Sequence, residues 1–329
     1  MYHSAMDASA PFFSIITPIW GRVEYLEQIY DRLCSQGLID IEWLIAVDDA
    51  DPEALSDIAE IMKRSIFPIR TFAASCRIGK AVLDNLLIKN ATGEYLIQND
   101  SDDYLVHGAL SHVKSYILER KLSGADDVAL LADCISTSGV SLLKLNDALV
   151  KDKIITLDTL NLKGDGVWVM PRAIYTHARF AEVDFIIHES STWGPLLLKA
   201  KVVWTAISIR VNRRSEINSV SFSGGIKYSR GSAYAISLEH NNIKRFARLD
   251  FLARFRILVL FYRYAYLAEI NENTQCEIWP LQKRLKMRAV AKLLGYGLAM
   301  LDHMRGNVSN THKEFDQNYA SVEIKELIV

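Results

Sequence analysis

The first 130 residues alternate short apolar runs with amphipathic segments, and that rhythm leaves few folds open. Phe13 to Pro18 is a β-rich run closed by proline, and Val23 to Leu33 then sets Leu26, Ile29, Tyr30 and Leu33 at helical spacing. Trp43 to Val47 and Ile69 to Ala73 read as further strands, followed by a helix from Gly79 to Lys89. Glu94 to Gln98 is a fourth strand, Gly108 to Arg120 a helix and Val128 to Ala132 a fifth strand. Strands and helices in alternation predict a largely parallel sheet with helices on both faces. Such sheets bind ligands beyond the carboxyl ends of their strands. The acidic groups Asp48 and Asp49, and Asp100, Asp102 and Asp103, fall at two of those ends.

The pattern weakens further on. Residues 135–163 are irregular, while Asp165 to Met170 and Val202 to Ile209 read as later strands. Ser219 to Ser232 is a Ser/Gly-rich loop, helical patterns cover 242–269 and 279–304, and the polar stretch from Asn307 is expected to fray. There is no internal repeat.

The 329 residues suffice for one large domain or two smaller ones. With 50% hydrophobic and 23% charged residues, collagen-like, disordered and disulfide-framed classes are excluded. A net charge of -1 argues against a general nucleic-acid binder but hides a split: residues 1–200 carry -10 and residues 201–329 carry +9. Cys34, Cys76, Cys134 and Cys276 show no metal-binding spacing and read as free thiols. No signal peptide is evident, and the most apolar stretch, Ile257 to Ala268, is short and holds Arg263. A cytoplasmic protein is expected.

An acidic turn such as Asp100 to Asp103 either caps the next helix or gathers a divalent cation with phosphate oxygens. The order of the surrounding pieces bears on the choice. Ser14 to Pro18 leads to Arg22, then Val47, Asp48 and Asp49, then Gly79 and Lys80 with Asp84 and Asn85. Ala91 to Tyr95 follows, and then Asp100, Ser101, Asp102, Asp103 and Tyr104. This series resembles the nucleotide-binding half of family 2 glycosyltransferases of the GT-A fold, of the kind that builds bacterial surface polysaccharides. The likeness spans about residues 12–213.

The resemblance implies an α/β GT-A fold, the nucleotide-diphospho-sugar transferase architecture, with a mostly parallel central sheet flanked by helices. It also implies residue roles. Thr17, Pro18 and Arg22 would lie beside the nucleotide, with Lys80, Asn85 and Ser101 in the same site. Asp49, next to Asp48, would accept hydrogen bonds from the uracil edge. Asp100 would face the ribose or sugar, and Asp102 would hold the metal that bridges the diphosphate, Mn²⁺ or Mg²⁺. Arg22 reads equally as a surface residue at a helix start, and Asp48 with Asp49 as a capping turn.

In the second half, Gly164 to Gly166 precedes a strand, and His188 and Glu189 open a helix before the strand that leads to Arg210 and Arg213. By position, Glu189 stands where the family carries its Asp base and His188 where it carries Glu. Glu189 is thus either the base or a carboxylate stabilising the helix N-terminus. His188 is a second acid/base group, an acceptor contact or a surface residue. Gly166 belongs to the acceptor segment, and Trp193 is either an acceptor-sugar platform or a core tryptophan. The Q-x-x-R-W signature of processive synthases is absent.

Residues 241–305 carry 12 Lys/Arg and 5 Asp/Glu among apolar residues, a pattern that suits either an anionic membrane surface or an ordinary docked helical pair. The expected organisation is a tail (1–10), a catalytic domain (11–215, its nucleotide-binding half 11–105 and acceptor half 106–215), a basic helical extension (216–306) and a polar tail (307–329). The expected activity is an inverting, metal-dependent, non-processive hexosyl transfer. The donor is a nucleotide sugar, UDP-linked, and the acceptor a hydroxyl of a glycan or lipid-linked molecule, at the inner face of the membrane and without nucleic acid. A non-catalytic module of the same fold and a sugar-phosphate nucleotidyltransferase are the rival readings.

Overall fold

The computed structural model describes residues 10–21, 23–50, 52–144, 150–156, 163–213, 226–241, 243–305 and 322–328. Strand β1 (Phe13–Ile19) is buried at every position, as is β2 (Ile41–Val47), which accounts for their unbroken apolar runs. They pair in parallel, with β3 (Ile69–Ala74) beyond β2 and β4 (Tyr95–Gln98) on the other side of β1. The connecting helices are α1 (Leu26–Cys34), α2 (Pro52–Arg64) and α3 (Lys80–Asn90). Helix α1 buries Leu26, Ile29, Tyr30 and Leu33, the four residues its spacing selects.

The chain runs outward from β1 to β2 and β3, then jumps back across β1 to β4. That reversal puts a topological switch point between β1 and β4, and the carboxyl ends of strands at such a point are the usual ligand position. Short β5 (Tyr104–Leu105), α4 (Ala109–Glu119) and β6 (Val128–Ser136) follow. A small two-stranded antiparallel sheet of β7 (Leu143–Lys144) and β9 (Lys163–Gly164) is separate from the main sheet, and β8 (Ile154–Thr156) lies between them in sequence. Strand β10 (Gly166–Pro171) then inserts between β4 and β6, antiparallel to both. After α5 (Arg172–Tyr175) and α6 (Ser190–Leu197), the long β11 (Lys201–Asn212) pairs in parallel with β6 and antiparallel with β5 and β8. The half around β1 is therefore parallel, and the half around β6 is mixed.

The C-terminal region departs from its sequence reading in three ways. Helix α7 (Ser229–His240) begins inside the stretch read as a loop. The single helix read over 242–269 is two, α8 (Ile243–Arg248) and α9 (Phe251–Leu267), because Asp250 caps α9 by accepting from the Ala253 amide at 2.7 Å. Helix α10 (Glu272–Ile278) precedes a 3₁₀ turn (Pro280–Arg284) and α11 (Arg288–Met304). Last, β12 (Ile324–Leu327), in the stretch expected to fray, pairs antiparallel with β3.

The chain forms two compact units. The first comprises residues 1–179, 196–213 and 318–329 and holds the sheet; the second comprises 180–195 and 214–317. Each has its own core, one around Ile15, Trp43 and Leu130, the other around Phe261, Tyr262 and Trp279. Among the described residues, no helix is long and apolar enough to cross a membrane.

Candidate active site

At the end of β2 two adjacent aspartates have separate tasks. Asp48 is buried and accepts from the Ile78 amide at 2.6 Å and the Gly79 amide at 3.0 Å, tying down the loop that enters α3. Burial raises its pKa, and those two amides act against the rise. Asp49 is exposed with φ +52°, a left-handed conformation that aspartate tolerates better than most residues. Its carboxylate is the one at the surface. β2 and β4 flank β1, so their carboxyl ends stand two strand spacings apart, ~10 Å. That span separates Asp49 from the acidic loop after β4.

In that loop, carboxylate oxygens of Asp100, Asp102 and Asp103 lie within 4.8 Å of one another. Lys80, at the start of α3, reaches Asp100 at 3.2 Å and buried Asp84 at 3.3 Å, and Gln98 donates to Asp84 at 3.1 Å. Helix α3 is thereby tied to the end of β4 by polar contacts. Asp103 is buried against Arg210 of β11 at 3.3 Å and accepts from the Arg213 amide at 3.3 Å. Burial pushes its pKa up to about 7; Arg210 opposes this, and Asp100 and Asp102 add to it. Three clustered carboxylates form a hard, oxygen-only donor set whose mutual repulsion a divalent cation would relieve, so the residues fit a metal. Asp102 and Asp100 are partly exposed, whereas Asp103 is occupied with Arg210.

Thr17 is fully buried, and its hydroxyl accepts from the Trp43 indole at 2.9 Å, so its side chain faces the core. Pro18 is also buried. Arg22 lies outside the described residues. Asn85 is partly buried on α3, and Ser101 is buried in the acidic loop. Two features escaped the sequence reading. Trp20, directly after β1, is 54% exposed, and the Arg77 guanidinium lies 3.6 Å from its ring centroid. Asp103 and Arg210 form the second, an ion pair between residues 107 positions apart that no local pattern announces.

Gly166 starts β10, where a Cβ would stand 2.7 Å from Leu131 Cδ1, so its small size serves packing. Glu189 immediately precedes α6 and is partly exposed; its carbonyl accepts from the Thr192 amide at 2.9 Å and the Trp193 amide at 3.1 Å. His188 Nε2 is 3.3 Å from Ser232 Oγ. Trp193 is 6% exposed and meets Phe180 edge-on at 5.6 Å. Its ring is packed inside, as the core-tryptophan alternative has it.

The family model for glycosyl transferase family 2 matches residues 14–130, which hold both acidic loops. A relative in Bacillus subtilis (strain 168), the uncharacterized glycosyltransferase EpsJ, is 35% identical over 95 residues. That stretch is 29% of this chain, and the chain spans only 27% of the length of EpsJ. In three dimensions, S. aureus TarS 1-349 in complex with UDP-GlcNAc matches with a TM-score of 0.53 at 14% identity, covering 95% of this chain and 96% of that one. The mannosyltransferase PcManGT from Pyrobaculum calidifontis, in complex with GDP-Man and Mn²⁺, matches with a TM-score of 0.52 at 12% identity, covering 92% and 90%. At such identities the likeness concerns the fold, which is GT-A with a C-terminal helical region.

Proposed function

We propose that this chain is a glycosyltransferase of the family 2 type, which moves a sugar from a nucleotide-sugar donor to a hydroxyl acceptor. The observation that carries the reading is the pair of acidic loops at the β1/β4 switch point, one exposed carboxylate after β2 and a three-carboxylate cluster after β4. Asp49 accepts from the N–H edge of the base, and uracil is the base proposed. Pro18, Arg22, Asn85 and Ser101 complete the donor site, with Asp48 and Lys80 holding its loops in place. Asp102, with Asp100 beside it, holds Mn²⁺ or Mg²⁺. When bound, that ion neutralises charge on the departing diphosphate.

Glu189 takes the proton of the acceptor hydroxyl as its oxygen attacks the anomeric carbon opposite the diphosphate, and the sugar configuration inverts. His188 stands beside it, and Gly166 lies in the acceptor segment. A glycan or lipid-linked acceptor used once per encounter, at the inner face of a membrane and within surface-polysaccharide assembly, completes the proposal. Mn²⁺-bound PcManGT and UDP-GlcNAc-bound TarS support the donor class by likeness of fold.

The test is nucleotide release from a panel of UDP- and GDP-sugars, with and without Mn²⁺, in the presence of a membrane-lipid extract. We expect metal-dependent release with one UDP-sugar, lost in Asp102→Ala and Glu189→Gln. If both variants retain wild-type release, the site assignment is wrong. If calorimetry detects no nucleotide binding with Mn²⁺, a non-catalytic module replaces the transferase.

A further inference from the structure

The two faces of α11 have different fates. Ala291, Gly295, Ala299 and Asp302 are buried. Gly295 lies so close to α9 that a Cβ would stand 2.7 Å from both the Tyr262 Cβ and the Val259 carbonyl oxygen. Asp302 is ion-paired with Arg263 at 2.6 Å, while Arg288 and Lys292 reach Glu272 at 2.6 and 3.2 Å. The acidic and basic groups of this helix are thus matched on its inner side or against α10.

The outer face carries no charge. Val290, Leu293, Leu294, Leu298, Leu301 and Met304 are all exposed, Leu293 at 75% and Met304 at 82%. Together with exposed Met300 they span about 160° of the helix circumference and run about 20 Å along it. Soluble surfaces seldom leave such a continuous apolar strip uncovered. The sequence pattern suited a membrane surface over the whole of residues 241–305. Within that range Leu258, Phe261, Tyr262, Ala265 and Leu267 of α9 are buried in packing.

We propose that the outer face of α11 docks onto an anionic membrane surface. This deepens the membrane-acceptor part of the function proposed above, but it rests on the exposed face and not on transfer chemistry. Charge selects the occupant. Residues 241–305 carry a net +7, and Arg256, Lys286 and Arg305 are exposed. Anionic headgroups complement that surface, and the leucine and methionine side chains reach the acyl boundary below them. A two-fold dimer through the same face would bring the net +7 of residues 241–305 up against that of its own copy. Its seam would also need only a narrower stripe than 160°.

The experiment uses the full chain, without donor, and vesicles of phosphatidylcholine alone or mixed with phosphatidylglycerol. We expect cosedimentation with the phosphatidylglycerol vesicles that weakens with salt. The double variant Leu293→Glu/Met304→Glu is expected to lose it by on the order of a hundredfold, with its helical circular dichroism retained. Leu118→Glu, an exposed leucine on α4, is expected to bind as wild type. Equal binding by wild type and double variant overturns the proposal. So does the absence of vesicle binding alongside a concentration-dependent dimer that the double variant abolishes, which assigns the face to a second copy. Vesicle binding without nucleotide release keeps this inference and removes the transfer reading instead.

Discussion

Asp102 and Asp103 are neighbours with opposite surroundings: one is partly exposed in the loop after β4, and the other is buried against Arg210. Replacing Asp103 by Asn leaves a buried guanidinium without its counter-charge. We expect about 3–5 kcal/mol of lost stability, measured as a shifted urea midpoint. Asp102→Asn should stay within about 0.5 kcal/mol of wild type in the same measurement while abolishing metal-dependent nucleotide release. The acidic string is plain in the sequence, but the division of labour within it is not. Burial separates the two aspartates, and burial here is set by β11, which arrives about a hundred residues later. Thr17 shows the same limit. Its place beside a strand end was legible, whereas the turn of its hydroxyl toward Trp43 depends on the neighbouring strand.

At the scale of elements, the Ala91 to Tyr95 stretch is a structural joint. Gly93 passes so close to β1 that a Cβ would stand 2.6 Å from the Ser14 amide nitrogen, and its own amide donates to Ser14 Oγ at 2.8 Å. Buried Glu42 accepts from Ser14 Oγ at 2.5 Å, the Thr92 amide at 2.6 Å and Thr92 Oγ1 at 2.8 Å. Glu42→Gln replaces one acceptor oxygen by a donor in this dense set. It should cost about 1–3 kcal/mol by chemical denaturation. Strands β1 to β4 were readable because a sheet covered on both faces demands unbroken apolar runs. Helix α7 was not, because it buries Ser229, Gly231, Ser232, Ala233, Ala235 and Ser237, small residues that pack closely without an apolar rhythm. Strand β12 was hidden for another reason: three of its four residues are exposed, so nothing in its composition distinguishes it from a polar tail.

For the whole molecule, ionisation links stability to alkaline pH. Tyr116, Tyr175 and Tyr262 are each pushed up to about 12, first by burial. An unfolded chain releases these protons near pH 10, before the folded one does, so stability is full below about 10 and falls as pH rises beyond it. Urea midpoints at about pH 8 and about pH 11 should show the decline. Tyr175→Phe, which removes the hydroxyl bound to the Gly93 carbonyl at 2.6 Å, should make it shallower. Ligand linkage runs the other way. A saturating UDP-sugar with Mn²⁺, at a hundred times its dissociation constant, should add about 2.7 kcal/mol, read as a raised Tm that Asp102→Ala abolishes.

The strand Ile324–Leu327 carries one more consequence, for the order in which the protein is built. The inner strands of the sheet leave the ribosome early and can pair with one another while the helices of the second unit are still being made. The edge at β3 waits for a partner encoded near residue 325. During that interval a row of backbone donors and acceptors stands open, the kind of template that recruits strands from other nascent chains. Translation speed through the intervening helices therefore sets how long the newborn sheet is exposed to its neighbours on the same polysome.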